Sequence, residues 1–282
     1  MPNSNQAQPS VPADTTTATR HLKVEGIGAV DITVAERGAG HPILLLHGGG
    51  GPLTVGAWAD QLAAARPARV LTPVHPGFNG TPRPAGLDSI GGLARLYLAL
   101  LDDLALEDVT VVGNSIGGWI AAEMAVLGSR RVSSYVLVDA VGIEVPGHLV
   151  ADFFSLTPAE VAQRSYYDPA TYGIDPAKLP PEAQAAMAGN QATLAVYGGA
   201  AMTDPTLAGR LSGVRTPVLV AWGEADRIGD SDFGRAYAAA IPGGQFRLLE
   251  RAGHMPQIET PDALIEAVWS FADAHAYGKP AR

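Results

Sequence analysis

Six short apolar runs alternate along the chain with segments of helical periodicity. The runs are residues 43–46, 69–74, 109–112, 135–138, 217–221 and 246–249. Short apolar runs of this kind are typical of buried parallel strands. Between the second and third runs, apolar residues recur at steps of three and four, as on a helix that lies with one face on a sheet. These residues are Leu93, Leu96, Tyr97, Leu100, Leu101 and Leu104. The pattern predicts an α/β fold with a mostly parallel sheet flanked by helices.

The alternation is interrupted between residues 145 and 212. This segment contains helix-like pieces separated by Pro and Gly, including 157–165 and 181–191, and no clear strand run. We therefore predict a small helical cap at 145–212, inserted between two parts of one core at 21–144 and 213–282. The first 20 residues are rich in Pro, Ser, Thr, Asn and Gln and lack a signal-peptide pattern. They are predicted to be a disordered leader.

Composition narrows the classes of function. The chain has 282 residues and a formal charge of 19 − 28 = −9, and the absence of any basic run argues against nucleic acid or an anionic membrane as a partner. The chain contains no cysteine, which excludes disulfides and a cysteine nucleophile and is compatible with the cytoplasm. No apolar stretch approaches the roughly 18 residues of a membrane span. We expect a cytoplasmic monomer or homodimer that acts on a small molecule.

The most informative motif is Gly113-Asn-Ser115-Ile-Gly117, which directly follows a β-branched run and leads directly into a helical pattern. In this context Gly-x-Ser-x-Gly is typical of a nucleophile elbow, a strained turn that exposes the serine hydroxyl at the end of a strand. The N-terminus of the following helix would stabilise negative charge at the same place. Ser115 is therefore the predicted nucleophile.

A second glycine-rich turn, His47-Gly-Gly-Gly-Gly-Pro52, follows the run 43–46. Its backbone N–H groups suit an oxyanion hole, which we predict to consist of the amides of Gly49 and Ile116. A phosphate-binding loop is a poorer interpretation because no Gly-Lys-Ser/Thr follows. His47 is interpreted as a structural support of this turn.

A serine hydroxyl is a poor nucleophile unless a base accepts its proton and a carboxylate orients that base. Of the seven histidines, His254 lies in a tight loop after the last apolar run, and Asp226 follows the run 217–221. Both positions lie at the carboxyl ends of strands, where open α/β sheets place their sites. We predict His254 as the general base and Asp226 as its orienting acid.

Five motifs occur in order along the chain: His47-Gly-Gly-Gly-Gly, His75-Pro-Gly-Phe, Gly113-Asn-Ser-Ile-Gly-Gly, Trp222-Gly-Glu-Ala-Asp and Gly253-His-Met-Pro. Through them the chain resembles the α/β-hydrolase superfamily from about residue 22 to its end. The resemblance implies the same roles for Ser115, Asp226 and His254. Asp139 is an alternative acid, because some members take theirs from the end of that strand, and Glu224 is a less favoured one.

The same motifs are similar to those of enzymes that hydrolyse C–C bonds in aromatic ring-cleavage products. Those enzymes often carry Trp where this chain has Met255, and His75 stands where an acidic residue is common. A structural role for His75 is favoured over a place in the pocket. The expected function is a cofactor-free serine hydrolase, esterase-like, acting on a small, partly apolar ester or related acyl compound. A C–C bond hydrolase is the alternative, and a non-catalytic ligand-binding module on the same fold is a third.

The predicted cap offers aromatic and apolar side chains that could cover the catalytic edge of the sheet and select the substrate. With the residue after the catalytic histidine, the candidate substrate-binding residues are Phe153, Phe154, Tyr166, Tyr167, Met187, Tyr197 and Met255. We expect no metal, since the histidines show no His-Glu-x-x-His or similar spacing.

Overall fold

A computed structural model describes residues 15–277 of the chain. Eight strands form one sheet in the order β1-β2-β4-β3-β5-β6-β7-β8. Their bounds are β1 Thr16–Val24, β2 Gly28–Gly38, β3 His41–Leu46, β4 Ala68–Pro73, β5 Val109–Asn114, β6 Val132–Val138, β7 Val218–Gly223 and β8 Gln245–Leu249. The β1–β2 and β2–β4 pairs are antiparallel, and every later pair is parallel. The predicted α/β fold with a mostly parallel sheet is confirmed.

Helices follow most of the parallel strands. Within residues 15–277 they are α1 Leu53–Ala65, α2 Ile90–Asp103, α3 Ile116–Leu127, α4 Pro158–Ser165, α5 Pro169–Tyr172, α6 Pro181–Gly198, α7 Leu207–Leu211, α8 Ser231–Ala239, α9 Pro256–Glu259 and α10 Pro261–His275. None of these helices is both long enough and apolar enough to cross a membrane.

The central strands are buried on both faces because helices cover each side of the sheet. Successive side chains of a strand point to opposite faces. Leu44 and Leu46 of β3 accordingly pack in one cluster with residues of α2, α3 and α8, whereas Ile43 and Leu45 pack in the other with residues of α1 and α10. This two-sided burial explains the apolar runs of the central strands.

Four helices, α4 to α7, lie between β6 and β7 and occupy the segment predicted as a cap. Helix α4 begins with a capping box in which Thr157 and Glu160 satisfy each other's backbone N–H groups. Helix α6 runs to Gly198, seven residues beyond the predicted end. The division into core and cap itself stays a prediction.

The predicted leader is too long at its C-terminal side. Residues 1–14 lie outside the described residues, but Thr16–Arg20 belong to β1, which pairs with β2 over its whole length. An edge strand with most side chains in solvent needs no apolar pattern, so the polar composition of these residues was misleading.

Candidate active site

Ser115 sits in a strained turn between β5 and α3. Its backbone has φ 57° and ψ −119°, and a positive φ is costly for any residue with a Cβ. The flanking glycines permit this turn: a Cβ at Gly113 would lie 2.1 Å from the Gly117 carbonyl oxygen, and one at Gly117 would lie 2.3 Å from that of Leu46. The Ser115 N–H donates to the Val138 carbonyl at 2.9 Å. The geometry is that of the predicted nucleophile elbow.

His254 and Asp226 lie in two loops that follow neighbouring strands, β8 and β7. The His254 Nδ1–H donates to Asp226 Oδ2 at 2.8 Å, and both side chains are buried. The other oxygen, Asp226 Oδ1, accepts from the N–H groups of Ile228 at 2.7 Å and Gly229 at 3.4 Å. Because the carboxylate accepts at Nδ1, the Nε2 atom of His254 is left free to take a proton.

The loop that carries His254 is held by three further hydrogen bonds. The His254 N–H donates to the Ser165 carbonyl at 2.7 Å, and Asn114 Nδ2 donates to the His254 carbonyl at 3.1 Å. The Gly253 N–H donates to Glu259 Oε2 at 2.6 Å. His254 is thus bonded to the end of α4 and to the residue before Ser115, and the preceding Gly253 is bonded to α9.

The two alternative acids occupy different positions. Asp139 follows β6 and is fully buried, with Oδ1 accepting from the Gly223 N–H at 2.7 Å. Burial, and next the neighbouring charge of Asp226, raise the pKa of Asp139 well above the ordinary range of a carboxyl group. Glu224 is exposed and accepts from the Arg251 N–H at 3.0 Å. Asp226 is therefore the carboxylate that contacts His254.

The glycine-rich turn after β3 is supported by two stacked histidines, His47 and His75, whose ring centroids lie 3.7 Å apart. His47 Nδ1–H donates to the Gly48 carbonyl at 2.8 Å, and His47 Nε2 accepts from the His75 N–H at 3.1 Å. His75 Nε2–H donates to the His47 carbonyl at 2.9 Å, and its Nδ1 faces the Tyr97 hydroxyl. His47 Nε2 must accept from an N–H group, so the His47 ring is neutral, and the Tyr97 hydroxyl can donate to Nδ1 of a neutral His75.

Burial favours the same neutral state. It lowers the pKa of His47 to about 4, because desolvation penalises the imidazolium. Burial also lowers the pKa of His75 well below its ordinary value, and the adjacent His47 adds to the effect. Both side chains are fully buried. These histidines accordingly support the turn and expose no surface to solvent.

The turn leaves backbone donors available. Neither the Gly49 N–H nor the Ile116 N–H has an acceptor among residues 15–277. Ile116 is the first residue of α3, where helix N–H groups have no intrahelical partner. Both amides are thus unpaired among the described residues, and their role as an oxyanion hole stays a prediction.

Helix α6 packs directly on this turn and on the turn after β4. Asn190, only 5% exposed, donates from Nδ2 to the Gly50 carbonyl at 3.2 Å and accepts from the Asn79 N–H at 2.7 Å. One and two helical turns further along, Thr193 and Tyr197 donate to the carbonyls of Gly77 and Pro76, each at 2.9 Å. These contacts of Asn190, Thr193 and Tyr197 were not predicted from the sequence, although the spacing of the three residues places them on one face of α6.

The candidate substrate-binding residues differ in burial. Tyr166 and Tyr197 are buried, and the half-buried Phe153 and Phe154 pack against the main core. Tyr167 is 48% exposed and Met187 is 41% exposed, so these two suit a pocket wall less well. Met255 is half-buried next to His254.

Comparison with known proteins identifies the family. The model of the alpha/beta hydrolase family matches residues 43–267. A relative that is 28% identical over 275 residues, covering 88% of this chain and 94% of its own, is 2-hydroxy-6-oxo-2,4-heptadienoate hydrolase from Pseudomonas putida strain F1. A thermophilic esterase from Thermogutta terrifontis has a similar fold, with a TM-score of 0.72, 21% identity and coverage of 91% of this chain and 98% of its own.

The meta-cleavage product hydrolase of Pseudomonas fluorescens IP01 shares the fold as well. Its TM-score is 0.71 at 21% identity, with coverage of 90% of this chain and 97% of its own. Because the family model covers most of the chain, the protein belongs to the alpha/beta hydrolase family and is a hydrolase.

Proposed function

We propose that the protein is a serine hydrolase that works through an acyl-enzyme. Two features together carry the proposal. Ser115 lies in a strained turn at the end of β5, and His254 and Asp226, in the loops after β8 and β7, share a hydrogen bond of 2.8 Å. A hydroxyl, a base and an orienting carboxylate are the three groups that serine catalysis requires.

In this mechanism Ser115 Oγ attacks the carbonyl carbon of the substrate, and its proton passes to His254 Nε2. The oxyanion that forms is stabilised by the N–H groups of Gly49 and Ile116. The bond from the carbonyl carbon to the leaving group then breaks, and the leaving group takes the proton from His254. Water, giving a proton to His254, next attacks the carbonyl carbon of the acyl-enzyme. The bond from that carbon to Ser115 Oγ then breaks, Oγ takes the proton back from His254, and the acid is released.

The bond cleaved is proposed from the relatives. The Pseudomonas putida relative, similar over 88% of this chain, is named as the hydrolase of a 2-hydroxy-6-oxo-dienoate. This supports hydrolysis of a C–C bond next to the keto group of a vinylogous diketone as the first candidate. The leaving group is then a stabilised carbanion, which must be protonated as it departs.

An uncharged ester is the second candidate, and one observation favours it. A dienoate carries a carboxylate, which is normally bound by Arg or Lys. Helix α6, which covers the glycine-rich turn, contains no Lys or Arg. The carboxylate of a dienoate would therefore meet no cationic side chain on this helix.

The experiment is a substrate panel assayed with wild type and Ser115→Ala. The panel contains a 2-hydroxy-6-oxo-dienoate, its methyl ester derivative at the carboxylate, and short aryl esters. Cleavage of the C–C bond in the dienoate or in its methyl ester supports the first candidate, and preference for the aryl esters supports the second. Labelling of Ser115 by a fluorophosphonate probe tests the nucleophile separately. Absence of labelling together with no turnover of any compound would contradict the proposal and favour a binding module.

A further inference from the structure

The Asp139 carboxyl group is buried close to His254 and Asp226. The mechanism above gives it no role. A carboxylate oxygen of Asp139, one of Asp226 and a ring nitrogen of His254 all lie within 4.8 Å of one another. Asp139 Oδ1 accepts from the Gly223 N–H, whereas Oδ2 is buried and has no hydrogen-bond donor among the described residues. A carboxylate oxygen in this position would be a buried charge without a partner.

Asp226 is better placed to carry the negative charge. It accepts from the N–H groups of Ile228 and Gly229 and from His254 Nδ1, and hydrogen bonds to the charged form favour that form. Asp139 has one such bond. The neighbouring Glu259 carboxyl also raises the pKa of Asp139. Two neighbouring buried carboxyls cannot both be ionised without a large electrostatic cost, so one proton is retained by the pair.

We propose that Asp139 is held as a neutral carboxylic acid whose Oδ2–H donates to Asp226, which makes Asp139 a positioning residue for the carboxylate that orients His254. The raised pKa of Asp139, caused first by burial and then by Asp226, agrees with this assignment. The inference rests on the proposed role of Asp226 in catalysis. It adds a fourth side chain, from the end of β6, to the set supplied by β5, β7 and β8.

The neutral acid has two tasks that an ionised carboxylate could not perform. Its hydroxyl restricts rotation of Asp226 and leaves the negative charge on the residue that touches His254. Its carbonyl oxygen keeps the bond to the Gly223 N–H, which fixes the end of β7 close to the start of the Asp226 loop. An amide has the same two capacities, a donor and an acceptor. Asp139→Asn is therefore an isosteric copy of the proposed state, whereas Asp139→Ala removes both groups.

The test compares these two variants with wild type by steady-state kinetics across pH. For Asp139→Asn we expect kcat to stay within about threefold of wild type and the midpoint of the kcat/KM profile to stay within about 0.3 pH units. For Asp139→Ala we expect a loss of about tenfold or more in kcat, together with a displaced midpoint, because Asp226 loses its restraint. A loss of about 10³-fold in Asp139→Asn, or a midpoint moved by about one pH unit, would show that Asp139 works as an ionised carboxylate and would overturn the proposal.

A second measurement does not depend on activity. The infrared difference spectrum between wild type and Asp139→Asn at neutral pH should contain the carbonyl band of a protonated carboxyl group. Its absence would refute the neutral acid even if both variants are active. Asp226→Asn, assayed in parallel, tests the underlying triad: if that variant is as active as wild type, the proposed function fails, while the infrared band still decides the protonation state of Asp139.

Discussion

The neutral state of His47 should make part of the stability of this fold sensitive to acid. The pKa of His47 is about 4 in the folded protein, against 6.5 for a free histidine. Below pH 6.5 the unfolded chain therefore binds a proton that the folded chain does not bind. The contribution of His47 is fully present above pH 6.5 and is lost as the pH falls toward 4.

The magnitude follows from the difference between the two pKa values. Each pH unit between them corresponds to about 1.4 kcal/mol of unfolding free energy. Lowering the pH from 7 to 5 covers about one and a half units of this window, so His47 alone costs about 2 kcal/mol. The side chain is fully buried, so solvent does not screen this effect as it would at the surface.

The assay is urea unfolding at pH 7 and pH 5 for wild type and His47→Asn. Asn keeps a donor for the Gly48 carbonyl but has no group that titrates. Asp139 acts in the opposite direction, because its raised folded pKa makes the folded chain bind the extra proton. The two proteins must therefore be compared. The free energy of unfolding should fall by about 2 kcal/mol more in wild type than in His47→Asn when the pH is lowered from 7 to 5. Equal pH dependence in the two proteins would refute the assignment of a buried neutral imidazole.

Three further outcomes are expected. Ser115→Ala should fold normally and lower kcat by about three to six powers of ten, as measured with the best substrate of the panel. Asp226→Asn should lower kcat by about 10⁴ by favouring the wrong imidazole tautomer. Glu224→Gln, in the same loop but exposed, should change kcat less than about threefold, and the opposite ranking would contradict the triad. Asn190→Asp should lower kcat by about tenfold or more by placing a carboxylate against the Gly50 carbonyl, whereas Thr193→Val, its control on α6, should act mainly on the melting temperature.

The central sheet could be predicted because its signal is local. Strands buried on both faces require consecutive apolar residues, and the predicted runs fall within about three residues of the ends of β3 to β8. The edge strand β1 could not be predicted in the same way. Its first residues, Thr16–Arg20, are polar and mostly exposed, and they are held by backbone pairing with β2, which requires no apolar pattern in them.

In the candidate site, too, residues that lie in local motifs could be predicted and a residue that depends on helix packing could not. Ser115, Asp226 and His254 were predicted because each stands in a short motif directly after a strand, and the sheet brings strand ends together. The choice between Asp226 and Asp139 was open because both follow strands. The structure separates them through the reach of the loop after β7, which carries Asp226 to His254 Nδ1. Asn190 lies 140 residues from its partner Gly50 in the chain, and its role depends on how α6 packs, which no local pattern encodes.

Helix α6, part of the predicted cap, contacts two turns at the carboxyl edge of the sheet. The helix bonds through Asn190 to the turn that carries Gly49, and through Tyr197 to the turn that carries His75 and Pro76. A Cβ on Gly49 would lie 2.7 Å from a methyl group of Leu194, so helix and turn are packed without spare room. Any movement of α6 to admit a larger substrate would therefore move the proposed oxyanion donor as well. If the predicted cap selects the substrate, we expect it to act on kcat as much as on KM, because a substrate that displaces α6 also weakens transition-state stabilisation.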